Sequence, residues 1–551
     1  MRKVFLLAVM VLFSTVLHAQ PRGEEQMTAI AAGQLQQAGS GIKVVKQSSA
    51  YSVFTGRDDG FVVVSRDESC PKVLGYSSSA VDMQNLPDGL KWWLEAVEAL
   101  SEMRTDADAA PSTAGQMEEV PNFMTSTWGQ SVPYNMVCPV DNVGKRSLTG
   151  CIATALGQAL YYYKYPSKPV GTNSFYVYNA GPYRDDFADE YNWAEMRDSY
   201  TPNVGNPNAL PVAELLRDCG YASGMNYSSA GSEAYCHKQA LALTSNFSYP
   251  TANIRYASRK YYSNEEWMHI IYRELKARRP VLYTGLEAQE YDADGNKYFR
   301  EGHSFIFSGM DADGRLYVNW GWNGMADGFF DFSDLAPAGI QNHAGTYHFN
   351  YDQEMIYGVT PESSPSPMAP KYSDFGTLSP LYTIEMAGNS SLYIDVGFVN
   401  RYYLPFIGTI NLVFDRNDGK RFVTVLFDNS SIEPIIPAKG FTLTSPSFRL
   451  NGLQEGTYKV YIASKATNDT QFQPLRCEGG PIYYELINSS GNITLSGAKP
   501  MDYHDYTSGI STPVMSSDGQ LQRIYTLGGQ QAPSIRRSNI YIMNGKKIVV
   551  K

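Results

Sequence analysis

From Leu148 to Tyr163 the chain carries no charged residue. A run of that length without charge must be sealed on most sides by other parts of the fold. Ile152, Leu156, Ala159, Leu160 and Tyr163 recur at i, i+4, i+7, i+8 and i+11, which is one stripe of a helix. Thr149 or Gly150 supplies the N-cap, and Tyr165-Pro166 ends the helix. Cys151 then falls in the first turn. Backbone N–H groups point outward there, and the helix dipole favours an anion such as a thiolate. A small buried thiol would show the same pattern, because free cysteines are commonly core residues.

A chain of 551 residues exceeds what one core can hold, so three or more domains are expected. Arg2 and Lys3 precede the apolar run Val4 to Leu17, and Leu17-His18-Ala19 ends on a small residue. Residues 1–19 therefore read as a secretory signal peptide, the run being shorter than the roughly 18–20 residues that span a membrane. No cysteine follows the cleavage point to carry a lipid, and no other spanning segment is seen. The net charge of −10 gives no basic footprint for nucleic acid. Cys70, Cys138, Cys151, Cys219, Cys236 and Cys477 are scattered without a CxxC. That spacing argues against a disulfide framework or a zinc site, Cys219 with Cys236 being one pair an oxidising compartment would permit. Asp292 to Asn296 and Asp311 to Gly314 lack the remaining ligands of a calcium loop and read as β-turns. No metal or cofactor is expected.

Taken in order, residues 20–118 combine a small α+β unit with a linker. Phe61 to Val64 is a buried strand, and Leu90, Trp93, Leu94, Val97 and Leu100 form a helical stripe. Thr105 to Val120 is rich in Ala, Asp, Ser, Pro and Gly without a period, an exposed stretch open to proteolysis. A folded unit followed by such a linker suggests a removable pro-segment; an ordinary accessory domain is the other reading. Residues 119–362 place helices first and strands later. Ala209 to Cys219 has Leu210, Ala213, Leu215 and Leu216 inward, and a capping box at Ser263 to Glu266 opens a helix to Lys276. Strands follow at Pro280 to Leu286, His303 to Gly309, Leu316 to Trp320 and Gly328 to Phe332. This is an α+β domain with a helical half and a sheet half. Residues 371–498 are strand-like: Leu392, Ile394, Val396 and Phe398 alternate, and Asn417-Asp418-Gly419 is a hairpin turn. The run from Gly452 to Val460 reads as the turn and Tyr-bearing strand of an immunoglobulin-like sandwich. Residues 508–551 form a short separate β unit.

A nucleophilic cysteine needs a base, an orienter and an oxyanion hole. The helix dipole supplies about 0.3–1 kcal/mol, and ~2 at best. Lowering a thiol from about 8.5 to about 3–4 takes roughly 6 kcal/mol. An imidazolium must do the rest. His269 lies off the apolar face of its helix, His237 adjoins Cys236 on another helix, His343 and His348 flank a Gly-containing loop, and His504 lies in a C-terminal linker. His303 follows Glu301-Gly302 and opens the strand Ser304 to Phe307, a strand-end position suited to a base. A satisfied core histidine is the plainer alternative. Downstream, Asn319 can accept from an imidazole N–H and Trp320 can cover that bond, although a buried Asn capping a turn fits the same residues.

Together these segments resemble the streptopain family of papain-like cysteine proteases over about residues 121–362. Thr127 to Asn135 resembles the oxyanion-hole segment, with Gln130 in that role. Thr149 to Ala155 resembles the nucleophile motif, Gly302-His303-Ser304-Phe305 the base motif, and Val318 to Gly324 with Asp327 to Phe330 the Asn-Trp segment. Ala213 to Gly220 with Met225 to Ser229 resembles the helix and loop beside the cleft. Ser304 stands where Ala is usual, Asn323 replaces a Gly, and Glu287 to Glu301 is an insertion-like stretch. The resemblance implies a papain-like two-lobed α+β domain with Cys151, His303, Asn319, Gln130 and Trp320 as site residues and protein or peptide substrates. It also implies that residues 20–104 act as an intramolecular inhibitor. The last residues are similar to C-terminal sorting modules of secreted Bacteroidetes proteins, implying export by a type IX machinery and a secreted or surface location. A cell-wall amidase on a related thiol fold, or a surface adhesin built on the sandwich, are the rival readings.

Overall fold

The computed structural model describes residues 21–98 and 118–330 apart from short breaks, 353–362, 373–502 with one break, and three short strands between 524 and 550. The signal peptide, most of the linker, His343, His348, His504 and the turn at Asp292 to Asn296 lie outside the described residues. The chain divides into two compact units, residues 1–122 with 309–349, and 123–308 with 350–551.

In chain order the elements begin with helix α1 (Glu24–Gln34) and strands β1 (Lys43–Gln47), β2 (Tyr51–Thr55), β3 (Phe61–Ser65) and β4 (Val73–Ser77). Next come α2 (Cys151–Tyr163), β5 (Asn173–Val177), β6 (Gly181–Asp185), α3 (Leu210–Ala222) and α4 (Cys236–Ser245). Then follow β7 (Arg255–Ser258), α5 (Asn264–Lys276), β8 (Val281–Leu286), β9 (Gln289–Tyr291), β10 (Lys297–Phe299) and β11 (Gly302–Met310). Ahead of the strands that begin at Phe375 come β12 (Leu316–Asn319), β13 (Gly328–Phe330) and β14 (Glu354–Tyr357).

In the first unit β1 to β4 form an antiparallel meander under α1, with Met27, Ala31, Phe54, Val62 and Val64 as its small core. The described residues between 90 and 98 are helical, and Leu90, Trp93 and Leu94 are buried as their spacing demands. The sheet continues into strands from the far side of the linker: β13 pairs antiparallel with β4, and β12 with β13. Phe329 faces Tyr76 and Phe330 faces Gly75. Gly75 is small because a side chain there would meet the Phe330 ring at 2.5 Å. The Ser77 hydroxyl donates to the Asp327 carbonyl, and the Trp93 and Phe330 rings meet edge to face at 4.9 Å. The turn before β12 is held by Asp311, which accepts from the Asp313 and Arg315 N–H groups.

The second unit is built on α2. Residues 152 to 161 of this helix are all buried, as an uncharged run requires. It is capped by Gly150 and ends at Lys164 in the left-handed conformation. Helix α3 packs along it, but Leu210 is 41% exposed. Ala213, Leu215 and Leu216 are buried as expected, together with Val212 and Cys219; Leu210 alone departs, because it is the first helical residue and faces outward. Strands β11, β8, β14 and β7 run antiparallel in that order. The Ser263 hydroxyl accepts from the Glu266 N–H to cap α5. The Glu266 carboxylate does not return to Ser263; it binds Arg476, 210 positions away.

Residues 375–500 form a mostly antiparallel β domain, Gly376 pairing parallel with Arg476, whose core includes Leu392, Ile394, Val396 and Phe398. Strands Gly408–Arg416 and Arg421–Asp428 meet at the expected turn, with Gly419 at φ +86°. The Tyr458 hydroxyl donates to the Gln454 carbonyl at 2.7 Å, tying the turn to the strand after it. Tyr402 and Tyr403 belong to the same apolar cluster as α2 and α3. Among the described residues no helix is long and apolar enough to cross a membrane, and no His, Cys, Asp or Glu group has metal-ligating geometry.

Candidate active site

The backbone before α2 is pinned from several directions. Ser147 receives the Asn135 side-chain amide on its carbonyl at 2.9 Å. The Leu148 N–H donates to the Ser228 carbonyl, and the Leu148 carbonyl accepts from the Ser232 hydroxyl at 2.8 Å. The Thr149 N–H donates to the Gln130 carbonyl at 3.0 Å. Gly150 then turns the chain at φ +85°, a conformation that favours glycine, and a Cβ there would meet Met225 at 2.7 Å. Cys151 follows as the first helical residue, half-buried. Its place at a helix N-terminus exposes it to unpaired N–H groups and the positive end of the dipole.

The other thiols differ. Cys138, Cys219, Cys236 and Cys477 are buried. Burial pushes the Cys138 and Cys477 thiols up to about 12 and the Cys219 and Cys236 thiols well above the ordinary range. Such thiols are inert. All six cysteines are free, so the conceivable Cys219–Cys236 pairing is not made. Cys70, also half-buried, sits in the other unit and donates to Asp67.

Gln130 is 7% exposed, on a loop laid along α2. The Trp128 N–H donates to the Gln158 side chain on α2 at 3.2 Å, and the Trp128 indole donates to the Arg197 carbonyl. Thr149 and Gln158 thus hold the Gln130 loop beside the helix start. On the other flank, Asp141 accepts from Val143, Lys145 and Ser229 N–H groups. Hydrogen bonding from Ser229 and from the Lys145 and Val143 backbone holds its carboxyl down at about 2. That fixed charge anchors the Ser228–Ser232 loop behind Leu148.

His303 is the second residue of β11, opposite Gly285 on β8. It is 2% exposed, not open at a rim, and its ring lies parallel to that of Phe305 at 6.1 Å. His237 is half-buried, and burial, with Lys238 and Arg401 adding to it, pushes its imidazole down to about 4, so it stays neutral at neutral pH. The two segments that carry Cys151 and His303 share one tether. The Gln239 side-chain nitrogen on α4 donates to the Ile152 carbonyl at 2.8 Å and to the Ser304 hydroxyl at 3.3 Å. Ile152 follows Cys151 and Ser304 follows His303. Gln239 carried no mark in the sequence, since a glutamine between Lys238 and Ala240 reads as a surface position.

Asn319 and Trp320 lie in the other unit, at the end of β12. The Asn319 side chain accepts from the Gly321 N–H at 3.0 Å, so it caps the turn that follows. Trp320 is fully buried, its indole donating to the Ala326 carbonyl and its backbone N–H to the Asp327 carboxylate at 2.8 Å. Gly321, Asn323, Gly324 and Ala326 all have positive φ, which explains the unusual glycine-rich sequence of this turn.

A model of the peptidase C10 family matches residues 128–330, and a model of the Spi protease inhibitor matches residues 20–100. A prointerpain A fragment from Prevotella intermedia has a solved structure at 33% identity and a TM-score of 0.50, covering 58% of this chain and 99% of that one. The chain belongs to the peptidase C10 family. It is therefore a cysteine peptidase with an inhibitor-like segment in front, on a mixed α+β fold. Streptopain of Streptococcus pyogenes is 29% identical over 333 residues, 56% of this chain and 80% of that protein. The thiol protease/hemagglutinin PrtT of Porphyromonas gingivalis is 29% identical over 343 residues, and the chain spans only 38% of its length. The C10 match contains Gln130, Cys151, His303, Asn319 and Trp320, and the inhibitor match contains α1 and β1 to β4.

Proposed function

We propose that this C10 peptidase is a secreted endopeptidase acting through Cys151 and His303. The observation that carries the reading is the half-buried Cys151 at the N-terminus of α2, while four of the remaining five thiols are sealed in the interior. Cys151, as thiolate, attacks the peptide carbonyl, and its electron pair forms the C–S bond. His303 holds the proton as imidazolium and gives it to the leaving amine. It then takes a proton from the water that releases the acyl group. The Cys151 N–H and the Gln130 amide receive the oxyanion, each donor of this kind being worth about 3–4 kcal/mol. Asn319 orients His303, and Trp320 shields that bond.

Residues 1–19 direct export, residues 20–118 hold the enzyme latent until the linker is cut, and residues 119–362 form the papain-like catalytic domain. Residues 371–498 form an immunoglobulin-like sandwich, a reading supported by the Tyr458 hydroxyl bond to Gln454. Residues 508–551 serve type IX sorting to the exterior. The test is Cys151→Ala in the full chain. It should yield no casein hydrolysis and an unprocessed precursor; self-processing by this variant overturns the nucleophile. Cleavage of muropeptides without casein would move the substrate to the cell wall.

A further inference from the structure

We infer that Gln239 is a positioning residue that sets the spacing between the sulfur and the imidazole, an inference resting on the Cys151–His303 reading. Gln239 is fully buried on α4. Its one nitrogen spans two elements that have no covalent reason to keep register: the first turn of α2, through Ile152, and the start of β11, through Ser304. Each acceptor is the residue next to a reacting group. The orientation of the amide is fixed by chemistry. The Ile152 carbonyl can only accept, so the nitrogen must face it and the oxygen must face away. That oxygen is buried without a hydrogen-bond partner among the described residues.

A buried amide with one half unsatisfied is a poor choice for stability alone, because a leucine or methionine of similar volume would leave nothing unpaired. What an apolar side chain lacks is direction. Packing permits small slides of a helix against a strand, whereas two hydrogen bonds from one nitrogen do not. The site around it is sensitive to such slides. Ser304 pairs across the sheet with Thr284, and buried Cys236 lies one turn before Gln239 on α4. Displacement of a reacting pair by about 1 Å is enough to slow catalysis on the order of a hundredfold.

The test compares Gln239→Leu, Gln239→Met and Gln239→Glu in the full chain. Slow variants are processed with a trace of tagged wild-type enzyme that is then removed. Leu and Met keep the volume and remove the donor. Kcat should fall tenfold or more with KM within about twofold, and the acid limb of Cys151 alkylation by iodoacetamide should move to higher pH as the pair separates. Glu repels the Ile152 carbonyl when ionised and donates to it when protonated. It should be slow near pH 7.5 and regain activity relative to Leu near pH 5. A purely structural role predicts something else: kcat falling in proportion to melting temperature in all three variants, with no recovery of Glu in acid. That result overturns the inference, as does wild-type kcat in Gln239→Leu. Cys151→Ser in the same series separates the two claims, because its retained activity would remove the nucleophile itself.

Discussion

Arg476, in the β domain, meets Glu266 of α5 with two parallel hydrogen bonds of 2.9 and 3.1 Å, both side chains buried. The same guanidinium lies 3.5 Å from Asp374 and 3.8 Å from the centre of the Tyr262 ring. Tyr402 of the β domain also donates to the Ile254 carbonyl in front of β7. The β domain is thus packed onto the catalytic half and shares its core. Removing one partner of a buried pair costs about 3–5 kcal/mol, because the other charge stays unpaired. Arg476→Met should therefore lower the stability of a full chain carrying Cys151→Ala by that amount in urea denaturation. Glu266→Leu combined with Arg476→Met should recover part of it. Equal stability of the single and double variants would show that the carboxylate left behind carries no penalty. A chain ending after Glu362 should be insoluble for the same reason.

Gly150→Ala tests the hinge into α2. The substitution meets a positive φ and places a methyl group 2.7 Å from Met225 and 3.0 Å from the Ser232 carbonyl. Strain at such a position costs about 1–3 kcal/mol. Either the Ser228–Ser232 loop or the Cys151 turn must move. The expected result is slower iodoacetamide labelling of Cys151 and a loss of kcat/KM of tenfold or more. An unchanged labelling rate would show that the loop yields and the nucleophile does not.

How much of this was readable in the chain depended on range. The α2 run was legible because an uncharged stretch with a helical stripe has few places to go, and the burial of residues 152 to 161 follows from it. Asp311 to Gly314 formed the turn its Asp-Gly sequence announces. Cys151 and His303 could be singled out because a helix start and a strand start leave local marks. What lacked a local mark was missed. The Glu266–Arg476 pair joins residues 210 positions apart and diverted half of the capping box that Ser263 began. Gln239 has no motif, since only the fold brings Ile152 and Ser304 to the same nitrogen. Asn319 was read as an orienter or a turn cap; the bond to Gly321 supplies the cap, and the orienting role rests on the proposed mechanism.

The pairing of β4 with β13 gives the inhibitor-like segment a specific anchor on peptidase residues. Gly75→Ala should disturb it, because the added methyl falls 2.5 Å from Phe330, a ring wedged against Trp93. Ser77→Ala removes the hydrogen bond to the Asp327 carbonyl. Both variants should raise peptide hydrolysis by the unprocessed full chain, Gly75→Ala the more, since backbone pairing is lost with the packing. The measurement uses chains whose linker has been made resistant to cutting. Latency as tight as the parent's would show that the segment is held elsewhere.

Asp327 makes a pH prediction of definite sign. Its carboxylate accepts the Trp320 N–H with one oxygen, the other having no partner among the described residues, and burial pushes the carboxyl up to about 7. In the unfolded chain it titrates near the usual ~3.9. Between those values the folded chain holds a proton that the unfolded chain has released, so this group's contribution to stability falls as pH rises from about 4 to about 7, then levels off. The span corresponds to at most about 4 kcal/mol. Asp327→Asn keeps an oxygen for the Trp320 N–H and carries no charge. The variant should match its parent near pH 4.5 and exceed it above pH 7, in melting curves of chains carrying Cys151→Ala to prevent self-digestion. Parallel curves across that range would mean that Asp327 is charged throughout, with an unseen cation or donor at its second oxygen.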